Sequence, residues 1–335
     1  MKRILIANLP ALYEKLANMG DLYIPTQQED ITNFEKYEKD AKVDLHTLKT
    51  ANTPKSIFLP QAENLFSAVT TDGKISINPV PLTALPFCVF GVRACDEAAL
   101  AVLDSVYLNE PIDQFYAARR NAGCIITLAC KTPKPSCFCA AFGIDAANPT
   151  GDVATWLDGS YLYWKGLTDK GVEITKTLTN LLEDTEDKPF DEQTTKQIYG
   201  NLPLDKFNDA DMMKIFNLPD WDKLHDTCIA CGTCAFVCPT CQCYDIRDFD
   251  NGTDVTRYRC WDSCMYSDFT LMTHGNSRQT QKERFRQRFM HKLVYHPQNN
   301  NDQFGCTGCG RCVSKCPAGL NILKIIKDLG VAADV

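Results

Sequence analysis

One cysteine pattern occurs twice, as Cys228-Ile-Ala-Cys231-Gly-Thr-Cys234-Ala-Phe-Val-Cys238-Pro239 and as Cys306-Thr-Gly-Cys309-Gly-Arg-Cys312-Val-Ser-Lys-Cys316-Pro317. Both copies fit the spacing C-x2-C-x2-C-x3-C-P, in which three close thiolates hold one [4Fe–4S] cluster and the fourth cysteine reaches the other cluster. The pattern predicts two clusters. Their ligands would be Cys228, Cys231, Cys234 and Cys316 for cluster 1, and Cys306, Cys309, Cys312 and Cys238 for cluster 2.

Zinc is the alternative occupant of such runs, because it also binds C-x2-C pairs. Zinc ribbons do not supply four cysteines this densely, followed by proline, in two copies. The spacer between Cys238 and Cys306 is longer than that of a compact bacterial ferredoxin. We therefore expect an all-helical dicluster ferredoxin domain, with helices inserted between the runs, of which residues 278–293 form the clearest.

Composition limits the class of protein. The 335 residues suit about two domains of roughly 100–200 residues each. Eighteen cysteines in a chain of this length, with no secretory signal, argue against a secreted disulfide scaffold and for a reducing cytoplasm. No run of about 18 apolar residues is present, which predicts no membrane insertion. The formal net charge of −7 argues against nucleic-acid binding.

The spacing of the cysteines suggests a domain boundary. Six lie before residue 140, none lies between Cys139 and Cys228, and twelve follow. The gap holds polar, turn-rich stretches at residues 180–192 and 200–211 that resemble a linker. We predict an α+β protein, with an N-terminal mixed α/β domain over residues 1–215 and an all-helical ferredoxin domain over residues 216–335.

The N-terminal part contains a strand-helix-strand pattern. Residues 86–92 and 124–128 are short apolar runs typical of buried strands, and helical spacing separates them. If the strands are parallel, the crossover is right-handed and both carboxyl ends open on one edge of the sheet. The cysteines that follow the two strands are Cys95, Cys130, Cys137 and Cys139. We hypothesise that they hold a third [4Fe–4S] cluster, with inert buried thiols as the alternative, the role that better suits Cys88 and Cys124 inside the strands.

Four more thiols follow the first run, at Cys241, Cys243, Cys260 and Cys264. Their C-x-C and C-x3-C spacings suit a further cluster or a zinc site, and equally suit packing and hydrogen bonding beside cluster 1 or 2.

Basic residues recur on the helix predicted at residues 278–293, at Lys282, Arg284, Arg286, Arg288 and Lys292. They either form a solvated helix face, or they form a docking surface or compensate the negative charge of cluster sulfur. No G-x-G-x-x-G and no G-x-x-x-x-G-K-[ST] motif is present, so a nicotinamide, flavin or nucleotide site lacks support from the sequence.

Taken together, six motifs resemble one known family. They are Arg93-Ala-Cys95-Asp96, Cys137-Phe-Cys139, Cys238-Pro-Thr-Cys241-Gln-Cys243-Tyr244-Asp245, Trp261-Asp-Ser-Cys264, Arg284-Phe-Arg286-Gln287-Arg288 and the final cysteine run. Their order is similar to that in the iron–sulfur subunit of anaerobic sulfite reductase and in the β subunit of cytoplasmic sulfhydrogenases, over roughly residues 85–325. The resemblance does not separate the members of this group.

The resemblance implies an iron–sulfur subunit that passes electrons between a flavoprotein reductase subunit using NAD(P)H and a catalytic subunit, siroheme-containing or nickel–iron. It also implies cluster ligation by the four N-terminal cysteines, and it includes Cys241, Cys243 and Cys264 but not Cys260.

The leading hypothesis is therefore an electron-transfer subunit of a soluble, anaerobic, multi-subunit oxidoreductase, in which the clusters form a relay and this chain is not the catalytic subunit. A second hypothesis makes the chain a reductase in its own right, with a substrate-binding cluster near Cys241, Cys243 and Cys264. A third is a zinc-bound scaffold without redox function.

Overall fold

The computed structural model describes residues 1–71, 73–187, 202–208 and 211–333. The chain forms two compact units, each assembled from separated segments. Unit 1 comprises Met1–Phe58, Ala84–Asn201 and Cys306–Gly310, and unit 2 comprises Leu59–Thr83, Leu202–Gly305 and Arg311–Val335. The single boundary near residue 215 stays a prediction. Residues 188–201 and 209–210 of the predicted linker lie outside the described residues.

The strands are β1 (Lys2–Leu5), β2 (Asp21–Gln28), β3 (Ile31–Lys36), β4 (Ala62–Thr71), β5 (Lys74–Pro79), β6 (Phe87–Val92), β7 (Gly123–Leu128), β8 (Val153–Asp158), β9 (Tyr161–Gly166), β10 (Glu183–Asp184), β11 (Tyr244–Asp250), β12 (Asp254–Trp261), β13 (Leu271–Met272) and β14 (Gly275–Asn276).

The helices are α1 (Leu9–Ala17), α2 (Lys55–Phe58), α3 (Ala94–Tyr107), α4 (Gln114–Ala122), α5 (Asp169–Thr177), α6 (Asp205–Asn208), α7 (Met212–Phe216), α8 (Trp221–Leu224), α9 (Thr233–Phe236), α10 (Gln281–Met290), α11 (His296–Asn299), α12 (Arg311–Lys315) and α13 (Ile322–Ala333). A π-helical segment, His291–Tyr295, joins α10 to α11, and short 3-10 turns lie at Ile6–Asn8, Cys139–Phe142 and Asp268–Thr270.

Unit 1 is built on a mixed sheet of eight strands in the order β10-β1-β9-β8-β7-β6-β2-β3. Its centre is parallel, because β6 pairs with β2 and β7, and β7 pairs with β8, in the same direction. Every residue of β6 and β7 is buried, as expected for the middle of a parallel sheet covered on both faces. The predicted strand-helix-strand unit is thus confirmed, and it brings the carboxyl ends of β6 and β7 to one edge.

Unit 2 corrects the fold prediction, because the C-terminal region is not all-helical. It contains β11 to β14, and β11 and β12 form a hairpin in an antiparallel sheet of order β11-β12-β4-β5. The turn between them includes Asn251-Gly252, with Gly252 at φ 95°, a conformation that glycine adopts readily. Strand β4 comes from a distant part of the sequence and completes the sheet with a buried ion pair, in which Arg259 Nη2 lies 2.7 Å from Glu63 Oε2.

The helices of unit 2 position its thiols. Helix α10 begins with a capping box, in which the side chains of Thr280 and Glu283 each bond to the other's backbone N–H. Trp221 packs against Phe285 and Phe289 of α10, with ring centroids 6.4 Å apart in both pairs. This packing fixes the face of α10 that also carries Arg288. No helix in the described part of the chain is long and apolar enough to cross a membrane.

Candidate iron–sulfur sites

All eighteen cysteines have free thiols. Within the described ranges, no three His, Cys, Asp or Glu side chains converge closely enough to hold a single metal ion. The thiols are nevertheless gathered into a few places, and each place follows from a local feature of the fold.

The first run lines a small cavity in unit 2 with a volume of about 40 Å³. Its wall includes five thiols, those of Cys228, Cys231, Cys234, Cys312 and Cys316, and apolar side chains from α10 and α13. The four ligands predicted for cluster 1 therefore line one cavity, together with Cys312 of the second run. The N–H of Leu320 donates to Cys316 Sγ at 3.3 Å.

The electrostatics of this cavity differ from one thiol to the next. Hydrogen bonding with Thr233 lowers the pKa of Cys231, whereas burial raises the pKa of Cys234. A cluster binds thiolates, so Cys231 supplies the ligating form more readily than Cys234 does.

The environment of Arg288 indicates whether this cavity suits an iron–sulfur cluster. Its side chain lines the cavity, only 6% of the residue is exposed, and its Nε has no hydrogen-bond partner. Burial acts to lower the pKa of Arg288, but Cys234, Cys312 and other nearby thiols raise it well above its usual value. A buried cation with an unpaired donor needs an anionic acceptor, and cluster sulfur supplies one. The residues that line this cavity therefore fit an iron–sulfur cluster.

Cys238, the last cysteine of the first run, is buried beside a second cation. Lys292 Nζ lies 3.4 Å from Cys238 Sγ and donates to Thr240 Oγ1 at 2.8 Å and to the carbonyl of Gly305 at 2.9 Å. Hydrogen bonding to Cys241, then the charge of Lys292, lowers the pKa of Cys238 well below its usual value, against the effect of burial. Cys241 and Lys292 together thus favour the thiolate form of Cys238.

The second cysteine set divides into two parts. Cys241 is hydrogen-bonded to Cys238, and Cys243 is hydrogen-bonded to Cys264. Cys260 lies apart from them on β12, opposite Asp245, and the charged groups nearest its thiol are Arg247, Asp245 and Asp262. The structure therefore gathers three members of the set and separates the fourth.

In unit 1, Cys95 and Cys130 lie where the sequence predicts them. Cys95 is in the first turn of α3, just after β6, and Cys130 follows β7. Arg93 fixes this edge, since its guanidinium donates to the carbonyls of Leu128 and Ala129 at 3.3 and 3.0 Å. Burial raises the pKa of Cys130, while the charge of Arg93 opposes this effect.

Cys137 and Cys139 lie on the loop that follows Cys130. The thiols of Cys130 and Cys137 are close enough for their charges to interact. Cys139 is 5% exposed and begins the 3-10 turn of this loop. By contrast, Cys88 and Cys124 are hydrogen-bonded to each other inside the sheet and belong to its apolar core.

The second run contributes to both units, with Cys306 and Cys309 in unit 1 and Cys312 and Cys316 in unit 2. Between the first two lies Thr307, which is 4% exposed and whose hydroxyl has no hydrogen-bond partner. A buried hydroxyl without a partner is rare, and an acceptor such as cluster sulfur would satisfy it.

Sequence reasoning did not assign the cations that contact the thiols. Arg288 and Lys292 were members of a larger basic set, of which Lys282 pairs with Asp222 at 2.8 Å near the surface. Their spacing in the sequence could have singled them out, because residues four apart on a helix share a face and Arg288 and Lys292 are four apart. Arg93 had no such signal, since its role depends on the end of another strand.

Comparison with known proteins defines the class first. Residues 227–320 match the family model described as a 4Fe-4S dicluster domain. The chain is therefore an iron–sulfur protein that binds [4Fe–4S] clusters.

Sulfhydrogenase 2 subunit beta of Pyrococcus furiosus is 30% identical over 337 residues, which cover 96% of this chain and 95% of that protein. The chain belongs to the family of this sulfhydrogenase beta subunit, as the motifs indicated, and is an iron–sulfur electron-transfer subunit. No solved structure matches it.

Proposed function

We propose that this subunit relays electrons, through three [4Fe–4S] clusters, between a flavoprotein subunit that uses NAD(P)H and a catalytic subunit of the nickel–iron or siroheme type. The observation that carries the proposal is the cavity of unit 2, where five thiols surround a buried guanidinium with an unpaired donor. The name of the Pyrococcus furiosus relative, a sulfhydrogenase subunit, favours the nickel–iron alternative. A cytoplasmic location stays a prediction.

The ligand sets follow the spacing of the two runs and the sheet edge of unit 1. Cys228, Cys231, Cys234 and Cys316 hold cluster 1, and Cys306, Cys309, Cys312 and Cys238 hold cluster 2. A third cluster has the ligands Cys95, Cys130, Cys137 and Cys139. When bound, each cluster supplies a site that accepts and releases one electron.

The residues around these ligands set how easily each site takes up negative charge. Arg288 and Lys292 are buried cations beside cysteine sulfur, and they stabilise the more negative, reduced state. Apolar side chains of α10 and α13 line the first cavity. Low dielectric around a site increases the effect of each nearby charge.

A reductase with its own substrate-binding cluster near Cys241, Cys243 and Cys264 is the alternative function. Cys264 is 8% exposed, whereas Cys241 and Cys243 are partly exposed. Spectra of the isolated chain separate the two functions, because a relay cluster responds to potential alone and a substrate-binding cluster also responds to substrate.

Metal analysis of the anaerobically purified chain tests the proposal. We expect about twelve irons and as many sulfides per chain for three clusters, whereas two clusters give about eight. The double variant Cys228→Ser/Cys231→Ser should lose about four irons. Cys260→Ser, which changes a thiol outside all three ligand sets, is the matched control and should lose none. Bound zinc without sulfide would refute the proposal.

The partners are tested separately by affinity capture from the host. The relay requires a flavoprotein and a catalytic subunit to be recovered with this chain. A chain that behaves as a monomer in the host extract and recovers neither would refute the assignment of partners, whatever its iron content.

A further inference from the structure

Two cysteine loops of unit 1 contact each other directly. The N–H of Phe138 donates to the carbonyl of Gly308 at 2.9 Å. Phe138 lies between Cys137 and Cys139, and Gly308 is next to Cys309. One hydrogen bond therefore connects a loop that carries ligands of the third cluster to a loop that carries ligands of cluster 2.

The contact requires glycine in the second run. Gly308 has φ 61°, and a Cβ there would lie 2.5 Å from the carbonyl oxygen of Phe138 and 2.7 Å from Cys139 Cα. Gly310 has φ 74°, and a Cβ there would lie 1.8 Å from the carbonyl oxygen of Ser136. Any side chain at these positions would push the two loops apart, since the nearest atoms that it meets belong to the backbone.

The loop that receives this contact is itself held in place. Lys49 Nζ donates to Ser136 Oγ at 2.6 Å, and Phe138 is 1% exposed. Neither loop can move away without exposing buried groups, so the separation of the ligands on the two loops is well defined.

We propose that the third cluster and cluster 2 are direct neighbours in the relay, and that the Phe138–Gly308 contact sets the distance across which they exchange electrons. The inference rests on the proposed function, because it requires a cluster at each loop. One electron crosses: the donor cluster is oxidised by one electron, the acceptor cluster is reduced by one electron, and no bond or proton changes hands. The path runs from Cys139 through Phe138 and the hydrogen bond to Gly308 and Cys309.

Electron paramagnetic resonance of the fully reduced chain tests this order. Two reduced clusters held side by side are both paramagnetic, and their spins interact and split each other's signals. We expect this splitting in the unmodified chain. In Cys139→Ser, which removes a ligand of the third cluster, the part of the splitting of the cluster 2 signal that the third cluster causes should disappear, while that signal and its splitting by cluster 1 remain.

The distance is tested with Gly308→Ala. Gly143→Ala is the matched control, because Gly143 also has a left-handed backbone, at φ 71°, in the same loop as Cys139, and no atom lies within 4 Å of its added Cβ. Gly308→Ala should weaken the splitting with iron content retained, and Gly143→Ala should leave it unchanged.

The outcomes separate this inference from the function on which it rests. About twelve irons without splitting in the unmodified chain would overturn the neighbour order alone. Splitting that is unchanged in Cys139→Ser would be due to clusters 1 and 2 alone and would overturn the neighbour order as well. About eight irons, with none lost in Cys139→Ser, would overturn both the third cluster and the inference. If Gly308→Ala loses its iron, the comparison with Cys139→Ser still decides the order.

Discussion

Replacing Lys292 with methionine should lower the reduction potential of cluster 2, of which Cys238 is a proposed ligand. The ammonium group lies 3.4 Å from Cys238 Sγ and is buried, with 5% of the residue exposed. A nearby positive charge stabilises the reduced, more negative cluster, so its removal makes reduction harder. Methionine retains the length and apolar body of the side chain and removes the charge.

The size of the effect follows from Coulomb's law. At 3.4 Å and an effective dielectric constant of about 20, two unit charges interact by about 5 kcal/mol, equal to about 200 mV for one electron. The added electron spreads over the cluster, beyond the sulfur of Cys238, so its mean distance from Lys292 is greater. We therefore expect the potential to fall by about 100 mV.

The fold should tolerate this change. Lys292 also donates to Thr240 Oγ1 and to the carbonyl of Gly305, and both groups lose a partner in Lys292→Met. Thr240 Oγ1 itself donates to the same Gly305 carbonyl at 2.8 Å, so that carbonyl keeps a donor. Iron and sulfide content should stay at the level of the unmodified chain.

The assay is a potentiometric titration of the reduced cluster signals. Lys282→Met is the matched control, because it removes the same charge from the adjoining helix α10 at a partly exposed site, where Lys282 pairs with Asp222. Lys292→Arg retains the charge and should retain the potential. A potential that stays the same or rises in Lys292→Met, with iron retained, would refute the electrostatic role of this residue.

Two further predictions concern stability. Glu63→Gln should destabilise unit 2 by about 3 kcal/mol in denaturant unfolding, because it leaves the buried charge of Arg259 without its carboxylate. Asp248→Asn, which breaks an exposed ion pair in the same sheet, should change stability little, and equal effects would contradict this reasoning. Burial and, after it, the charge of Lys292 lower the pKa of His291 to about 4. Below about pH 6.5 the unfolded chain therefore binds a proton that the folded chain does not bind. The free energy of unfolding should fall by about 2 kcal/mol by pH 5. His291→Gln should remove this loss between pH 7.5 and 5, and an unchanged pH profile would contradict it.

Much of the cysteine chemistry could be predicted from the sequence because it depends on local spacing. The first run forms one loop and a short helix, so its thiols are close together in any fold that keeps this spacing. The edge of unit 1 could be predicted because β6 and β7 are short, mainly apolar runs that follow one another, and parallel pairing then determines where Cys95 and Cys130 lie.

The sheet of unit 2 was missed because its partners are far apart in the sequence. Strand β11 is mostly exposed and carries four aspartates or arginines among seven residues, so it lacks the apolar pattern of a core strand. Its neighbour β12 pairs with β4, and no local pattern reveals such a partner. The Asn251-Gly252 dipeptide is typical of a β-hairpin turn, whereas the expectation of an all-helical domain rested only on the long spacer between the two runs. The contact of Gly308 with Phe138 has the same origin, since it joins residues distant in the sequence.

The two buried cations explain why unit 2 and its clusters should depend on each other. Arg288 and Lys292 lie four residues apart across the junction of α10 with the π-helical segment, where such segments often mark functional sites. Burying a cation is unfavourable unless an anion compensates it, and here the compensating groups are cysteine sulfurs. Neutral thiols compensate poorly, whereas thiolates bound to iron compensate well. Folding of this helix and cluster binding are therefore coupled, because each supplies the charge that the other requires.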